Sequence, residues 1–216
     1  AMEDADIGPD YSQGEKDEVT PEVAGFSLGC GNPVALAKLQ PGEVVLDIGS
    51  GGGMDSFLAA RRVGRGGKVI GVDMTPAMIE RARRSAEKLG FPQVEFRLGQ
   101  AEALPVADES INVILSNCVI NLSEDKGQVF AEAWRVLKPG GRLEVSDIVA
   151  VGALPLEQQA NPDNWAGCVY GALPEQEYLD LIRLAGFGRV EVERRVPAGE
   201  AAGVPLYSLT VSAYKE

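Results

Sequence analysis

The side chains with most chemistry to offer here are three cysteines (Cys30, Cys118, Cys168), two aspartates around a glycine-rich loop, and no histidine at all. Without histidine the commonest general base and the commonest nitrogen ligand for a metal are missing. Any reaction must therefore run on carboxylates, thiols, hydroxyls or the backbone. The cysteines are too far apart for the C-x2-C spacing of a zinc ribbon and are not a disulfide framework.

The loop is Asp47-Ile48-Gly49-Ser50-Gly51-Gly52-Gly53. It follows an apolar run and precedes a helical pattern, the context that a phosphate- or nucleoside-binding turn requires. Glycine there permits a tight turn and close backbone approach to a ligand, and the helix behind presents free N–H groups. The next apolar run ends in Asp73, about twenty residues on, where an acid can accept hydrogen bonds from both ribose hydroxyls. Two cofactors fit, a dinucleotide or S-adenosylmethionine. Asp47, just ahead of the loop, would repel a pyrophosphate but suits the ammonium of a methionine. The plainer alternative is a simple turn with Asp47 as its cap.

Cys118 falls just past the fourth predicted strand, Cys168 after the fifth, and Cys30 before the first. Ligands of open α/β sheets bind at the carboxyl ends of the strands, so all three thiols can meet above a bound cofactor. A lone cysteine is often a small buried hydrophobe. These three lie outside predicted strand and helix interiors, and Gly29, Gly31 and Gly167 flank two of them. Three converging thiolates select a soft, thiophilic centre. Trivalent arsenic takes three sulfurs in a pyramid and keeps a lone pair that can attack a methyl group. It has no proton to lose, so no general base is needed. On this reading Cys118 and Cys168 share one arsenic atom and Cys30 sits on a mobile segment.

The elements that must position these groups follow from periodicity. Val44–Gly49, Lys68–Asp73, Val94–Leu98, Ile111–Ser116 and Leu143–Ile148 read as buried strands. Helical patterns cover 51–63, 75–89 and 124–137. Strand and helix in alternation imply a parallel sheet covered on both faces. The rhythm breaks at 150–173. A helix is expected over 175–184, and Val190–Val196 with Tyr207–Tyr214 read as a closing antiparallel hairpin. The expected organisation is an acidic N-terminal arm (1–25), a nucleoside-binding core (26–149), a substrate-binding insertion (150–173), and a C-terminal helix with closing strands (174–216). The net charge of −12 over 216 residues repels polyanions and argues against nucleic acid as partner. No run of about 18 apolar residues predicts a membrane span. The acidic start is not a secretory signal, so a cytoplasmic location is expected.

Val45-Leu46-Asp47-Ile48-Gly49-Ser50-Gly51-Gly52-Gly53 resembles motif I of class I S-adenosylmethionine-dependent methyltransferases. Arg135-Val136-Leu137-Lys138-Pro139-Gly140-Gly141 and Ala103-Leu104-Pro105 with Asp108 resemble further elements of that fold. The resemblance implies a Rossmann-like, mostly parallel seven-stranded sheet with helices on both faces and an antiparallel closing hairpin. It implies that Asp47, Gly49, Ser50, Gly51 and Asn117 flank the methionine part of the cofactor. Asp73 and Met74 would then meet the ribose and the adenine edge, and Ala101 and Glu102 the adenine.

The segments Leu28-Gly29-Cys30-Gly31-Asn32-Pro33, Ser116-Asn117-Cys118-Val119-Ile120-Asn121-Leu122 and Ala166-Gly167-Cys168 with Gly171-Ala172-Leu173 resemble arsenite methyltransferases. That resemblance implies arsenite and methylated arsenicals as substrates, held by Cys30, Cys118 and Cys168. Many members carry further N-terminal cysteines for redox cycling. None precedes Cys30 here, which points to an outside thiol reductant of thioredoxin or glutathione type as co-substrate. Two other readings stand beside it. One is another small-molecule methyltransferase, such as a carbon methyltransferase of quinone biosynthesis. The other is a thiolate protein that sequesters arsenic or zinc without turnover.

Overall fold

A computed structural model describes residues 11–19, 23, 30–155, 169 and 171–216. Its strands are β1 (Val44–Ile48), β2 (Lys68–Asp73), β3 (Val94–Leu98), β4 (Ile111–Asn117), β5 (Leu137–Ala150), β6 (Arg189–Ala201) and β7 (Val204–Tyr214). The described helices are α1 (Gln13–Asp17), α2 (Pro33–Leu36), α3 (Met54–Val63), α4 (Pro76–Leu89), α5 (Lys126–Val136) and α6 (Glu175–Leu184), with a 3-10 turn at Ile120–Leu122. One seven-stranded sheet runs in the order β3-β2-β1-β4-β5-β7-β6. The first five strands in that order pair in parallel; β7 pairs antiparallel to both β5 and β6. This is the class I methyltransferase sheet with its closing hairpin.

The central strands are apolar almost throughout because both faces are covered. Along β1 successive side chains point to opposite faces. Leu46 and Ile48 enter a core with Phe130, Val136, Tyr178 and Ile182. Val45 enters the other, with Phe57, Leu58, Ala82 and Phe96. Asp47 shares the face of Val45 and meets α3. The helix α4 shows why periodicity was readable: Pro76 opens it, Ile79, Ala82 and Ala86 are buried at helical spacing, and left-handed Gly90 ends it.

Some boundaries differ from expectation. The helix after the glycine loop starts at Met54, not residue 51, because Gly49, Gly51 and Gly53 all hold positive φ, which an α-helix cannot. The closing hairpin is longer than expected and bulges near Pro197, where the ladder lacks a donor. The expected extended or mobile arm is in part a packed element. Ser12 and Glu15 form a capping box on α1, and Tyr11, Val19 and Val23 are buried in the second core. Residues 1–10, and most of the 150–173 insertion including Cys168, lie outside the described residues. Among the described residues no helix is long and apolar enough to cross a membrane.

Candidate active site

The glycine loop turns at the carboxyl end of β1, tied to its neighbour strand by the Gly49 and Ser50 amides, which donate to the carbonyl of Val72 (2.8 and 3.0 Å). Gly49 has φ +73°, and a Cβ there would overlap the side chain of Val119, so only glycine fits. The Gly51 amide donates to Asp73 Oδ2 (2.9 Å) and the Thr75 amide to Oδ1 (2.8 Å). Each carboxylate oxygen keeps an unused lone pair, so Asp73 can still accept ribose hydroxyls. Beside it Met74 is 64% exposed, an apolar side chain left bare at the end of β2. On the neighbouring segment Glu102 hydrogen-bonds Ser123 through their side chains, and its carbonyl accepts from Gln128 Nε2 (3.3 Å). Ala101 is half-buried. The buried Ser50 Oγ has no hydrogen-bond partner among the described residues.

Asp47 is buried and accepts from Ser56 Oγ at 2.6 Å. Asp55, in the first turn of α3, is also buried. It accepts from the Tyr11 hydroxyl (2.7 Å) and from Asn117 Nδ2 (3.2 Å). Burial first, and for Asp47 the charge of Asp55 next, hold both carboxyls well above the usual carboxylate range. A buried acid pair without a cation is what an incoming ammonium would relieve. The pair, the orphaned Ser50 hydroxyl, the open face of Gly51 and the exposed Met74 together fit a nucleoside carrying an amino acid. Sequence reasoning found Asp47 and Asp73 but missed Asp55 and Tyr11. Asp55 was legible as an acid in the first turn of the helix; Tyr11 lay in a segment without periodicity.

Asn117, expected only at the methionine end, links the two halves of the site. Its Oδ1 accepts from the amides of Cys30 (3.1 Å) and Gly31 (3.3 Å), and its Nδ2 donates to the Gly31 carbonyl (2.9 Å) and the Tyr11 hydroxyl (3.0 Å). Cys30 is pinned further by Ser208, whose hydroxyl donates to the Cys30 carbonyl (2.7 Å). These bonds tie Cys30 and Gly31 to β4 and β7, while residues 24–29 ahead of them lie outside the described residues. Its thiol is buried and donates to the Ser146 carbonyl (3.6 Å). Cys118 leaves the end of β4 in the left-handed region (φ +59°), its amide donating to that same carbonyl (2.8 Å). One carbonyl on β5 thus anchors both residues.

The sulfurs of Cys30 and Cys118 and a carboxylate oxygen of Asp147 lie within 4.8 Å of one another, all three residues buried. The Tyr178 hydroxyl donates to Asp147 Oδ2 (3.2 Å). Burial outweighs that bond and pushes Asp147 up to about 7. Burial and then the charge of Asp147 also raise the Tyr178 hydroxyl. Asp147 was read only as part of a strand; alternation along β5 could have marked it as an acid facing the core. Gly171 is pressed so closely on the carbonyl of Asn121 that a Cβ would overlap it. The return of the insertion is therefore seated on the turn that follows Cys118. Val169 packs against the cluster containing Cys30 and Cys118.

Residues 39–186 match the family model described as a methyltransferase domain. The chain is 52% identical to the arsenite methyltransferase of Halobacterium salinarum, over 78% of this chain and 43% of that one. To the arsenite methyltransferase of Aquipseudomonas alcaligenes it is 41% identical, over 85% and 55%. It thus spans about half the length of these curated relatives. Among solved structures, an arsenic(III) S-adenosylmethionine methyltransferase from Chlamydomonas reinhardtii superposes with a TM-score of 0.85 at 35% identity, covering 94% of this chain and 73% of that one. The sheet order, the glycine loop and these similarities together place the chain among the class I S-adenosylmethionine-dependent methyltransferases, and within them it belongs to the arsenite methyltransferase family.

Proposed function

We propose that this chain methylates trivalent arsenic, holding the arsenical on Cys30, Cys118 and Cys168. The observation that carries the reading is the convergence of Cys30 and Cys118 at the carboxyl end of the sheet, beside the glycine loop, through the shared side chain of Asn117. Two thiols drawn from residues 88 positions apart and buried side by side select a soft centre. Support for Cys168 comes from Val169, its neighbour in the chain, which packs against the same cluster.

Bound at the glycine loop, S-adenosylmethionine supplies an electrophilic methyl group to the lone pair of the held arsenic. Asp47 and Asp55 would take its ammonium, Asp73 its ribose hydroxyls, and Met74, Ala101 and Glu102 would border its adenine. Gly49, Ser50, Gly51 and Asn117 would shape the methionine end. Tyr11 closes over Asp55 and keeps water from the acid pair. The thiols orient the arsenical; no residue is asked to remove a proton during methyl transfer. Methyl transfer spends the lone pair and leaves arsenic pentavalent; two thiols would return it to the trivalent state by closing a disulfide, which a thiol reductant of thioredoxin or glutathione type would then reduce. The division into core (26–149), insertion (150–173) and closing segment (174–216) is part of the same proposal, the insertion supplying Cys168. A quinone methyltransferase would have no use for the paired thiols, and a sequestering protein none for the acid pair and loop.

The test is incubation of the purified chain with arsenite, S-adenosylmethionine and a thiol, followed by arsenic speciation. Methylated products in stoichiometry with S-adenosylhomocysteine are expected. A chain that binds both ligands but forms no arsenic–carbon bond would refute the proposal.

A further inference from the structure

In the Cys30–Cys118–Asp147 cluster one ligand, Asp147, is not used by the arsenical. Trivalent arsenic on three thiolates needs no carboxylate, yet Asp147 presents an oxygen within 4.8 Å of both sulfurs. Asp147 is fully buried, and its Oδ1 has no hydrogen-bond partner among the described residues, while Oδ2 is taken by Tyr178. A buried carboxylate oxygen without a partner is costly. Burial dominates its electrostatics, and the nearby charge of Lys126 offsets it only in part.

We propose that Cys30, Cys118 and Asp147 form a two-sulfur, one-oxygen site for a thiophilic divalent cation, zinc or cadmium. Zinc sites have metal–sulfur distances of about 2.3 Å and metal–oxygen distances of about 2.0–2.2 Å, which place tetrahedral ligand atoms about 3.5–3.8 Å apart. The cluster thus needs to close by about 1.3 Å at most. Its three ligands leave a fourth position open. On binding, two S–H bonds break, two metal–sulfur bonds and one metal–oxygen bond form, and the two thiol protons go to solvent, with the Asp147 proton as well where that carboxyl is protonated; no electron moves. Two thiolates and a carboxylate carry three negative charges against two on the cation. Lys126, buried with its Nζ on the carbonyls of Asn121 and Ser123, faces Asp147 and offsets the remainder. Tyr178 orients the carboxylate from the other side, as outer-shell groups do at such sites. If the arsenical uses these thiols, as proposed above, the cation competes with it and silences the enzyme. The binding itself does not depend on that reading.

The test uses the full chain, reduced and free of metal, titrated with cadmium alone. The sulfur-to-metal charge-transfer band reports binding, and X-ray absorption counts the ligands. One equivalent is expected, with two sulfurs and lighter atoms in the first shell. Cys118→Ser should abolish the band. Asp147→Asn should keep it but weaken affinity at least about tenfold, since losing a supporting outer-shell group alone costs about 10–100-fold. Three sulfurs in the wild-type shell, or unchanged affinity in Asp147→Asn, would overturn the proposal. Should Asp147→Asn fail to fold, the wild-type ligand count decides by itself. Neither arsenite nor S-adenosylmethionine enters the measurement, so its failure is distinct from failure of the methyltransferase reading.

Discussion

Asn117→Ala removes the one side chain that joins the arm, the acid pair and the Cys30 turn. Five contacts converge on it, but Nδ2 carries only two hydrogens for its three acceptors. About four bonds at full strength are therefore lost. Each contributes roughly 0.5–1.5 kcal/mol net, or about 2–6 kcal/mol in sum. Asn117 is only partly buried, and water can enter the space left, so the lower half of that range, about 2–4 kcal/mol, is expected. In a chain of this size each kcal/mol lowers Tm by about 2–4 °C. The functional effect should be larger than the loss of stability suggests, because the Cys30 amide loses its anchor and the two thiols separate. Phenylarsine oxide, which needs two adjacent thiols, should bind the variant more weakly by at least tenfold, roughly 1.4 kcal/mol. Asn117→Asp is the control. It keeps the acceptor for Cys30 and Gly31 and should keep much of that affinity. It also sets a second carboxylate against Asp55 and should lose stability as pH rises. Urea unfolding and titration with the arsenical read both effects. An Asn117→Ala protein within about 0.5 kcal/mol of wild type that holds phenylarsine oxide equally well would refute the linking role.

Cys118→Ser should abolish methylation of both arsenite and monomethylarsenite, while Cys30→Ser should abolish only the first; speciation of products from each substrate checks this. Asp73→Ala should weaken S-adenosylmethionine binding measured by calorimetry by about 1.5–3 kcal/mol per lost charged hydrogen bond, and by somewhat more because the Gly51 amide also loses its acceptor. Glu144, buried and bonded to Ser212 Oγ at 2.7 Å, is raised to about 7, mainly by burial. The folded state holds this proton more tightly than the unfolded chain, so its contribution is full below about pH 4.5 and is lost as pH rises through about 7. Glu144→Gln lacks that loss, and its stability relative to wild type should grow between those limits by at most about 3 kcal/mol in urea unfolding; a pH-independent difference would show the carboxyl to be solvated.

The central sheet was legible because β1, β2, β4 and β5 are buried on both faces and so read as apolar runs. The glycine loop was legible because Gly49 and Gly53 hold conformations that other residues avoid. What escaped was set by distance along the chain. Asp55 is one acid among many until Tyr11, 44 residues earlier, places a hydroxyl on it. Alternation along β5 marks Asp147 as an inward acid, but only the return of Cys30 and Cys118 to the Ser146 carbonyl gives it neighbours with chemistry. The sequence reading paired Cys118 with Cys168 because both follow adjacent strands. The structure brings Cys30 beside Cys118, through a side chain, Asn117, whose bonds no periodicity encodes, while Cys168 lies outside the described residues.

The absence of histidine takes on a quantitative sense when protons are counted. Arsenite is a neutral trihydroxide at pH 7. Its capture by three thiols breaks three arsenic–oxygen bonds and three S–H bonds and releases three waters, with no net proton. Methyl transfer to the lone pair releases none either. The thiols can therefore remain protonated until the arsenical arrives, in keeping with the Cys30 contact to the Ser146 carbonyl, and no base is needed to deprotonate them beforehand. A divalent cation has no hydroxides to carry the thiol protons away, and it sends two to solvent. The two ligands should then differ in their pH dependence. Below the ordinary thiol pKa of about 8.5, the logarithm of the cadmium association constant should climb with a slope of at least two, steeper where Asp147, pushed up to about 7, must also give up its proton, while that of arsenite stays nearly flat. The same preparation titrated with each ligand between pH 6 and 8 measures both slopes. A steep slope for arsenite would mean that the thiols must ionise before capture, and a base among Asp147, Tyr178 and Lys126 would then have to be found.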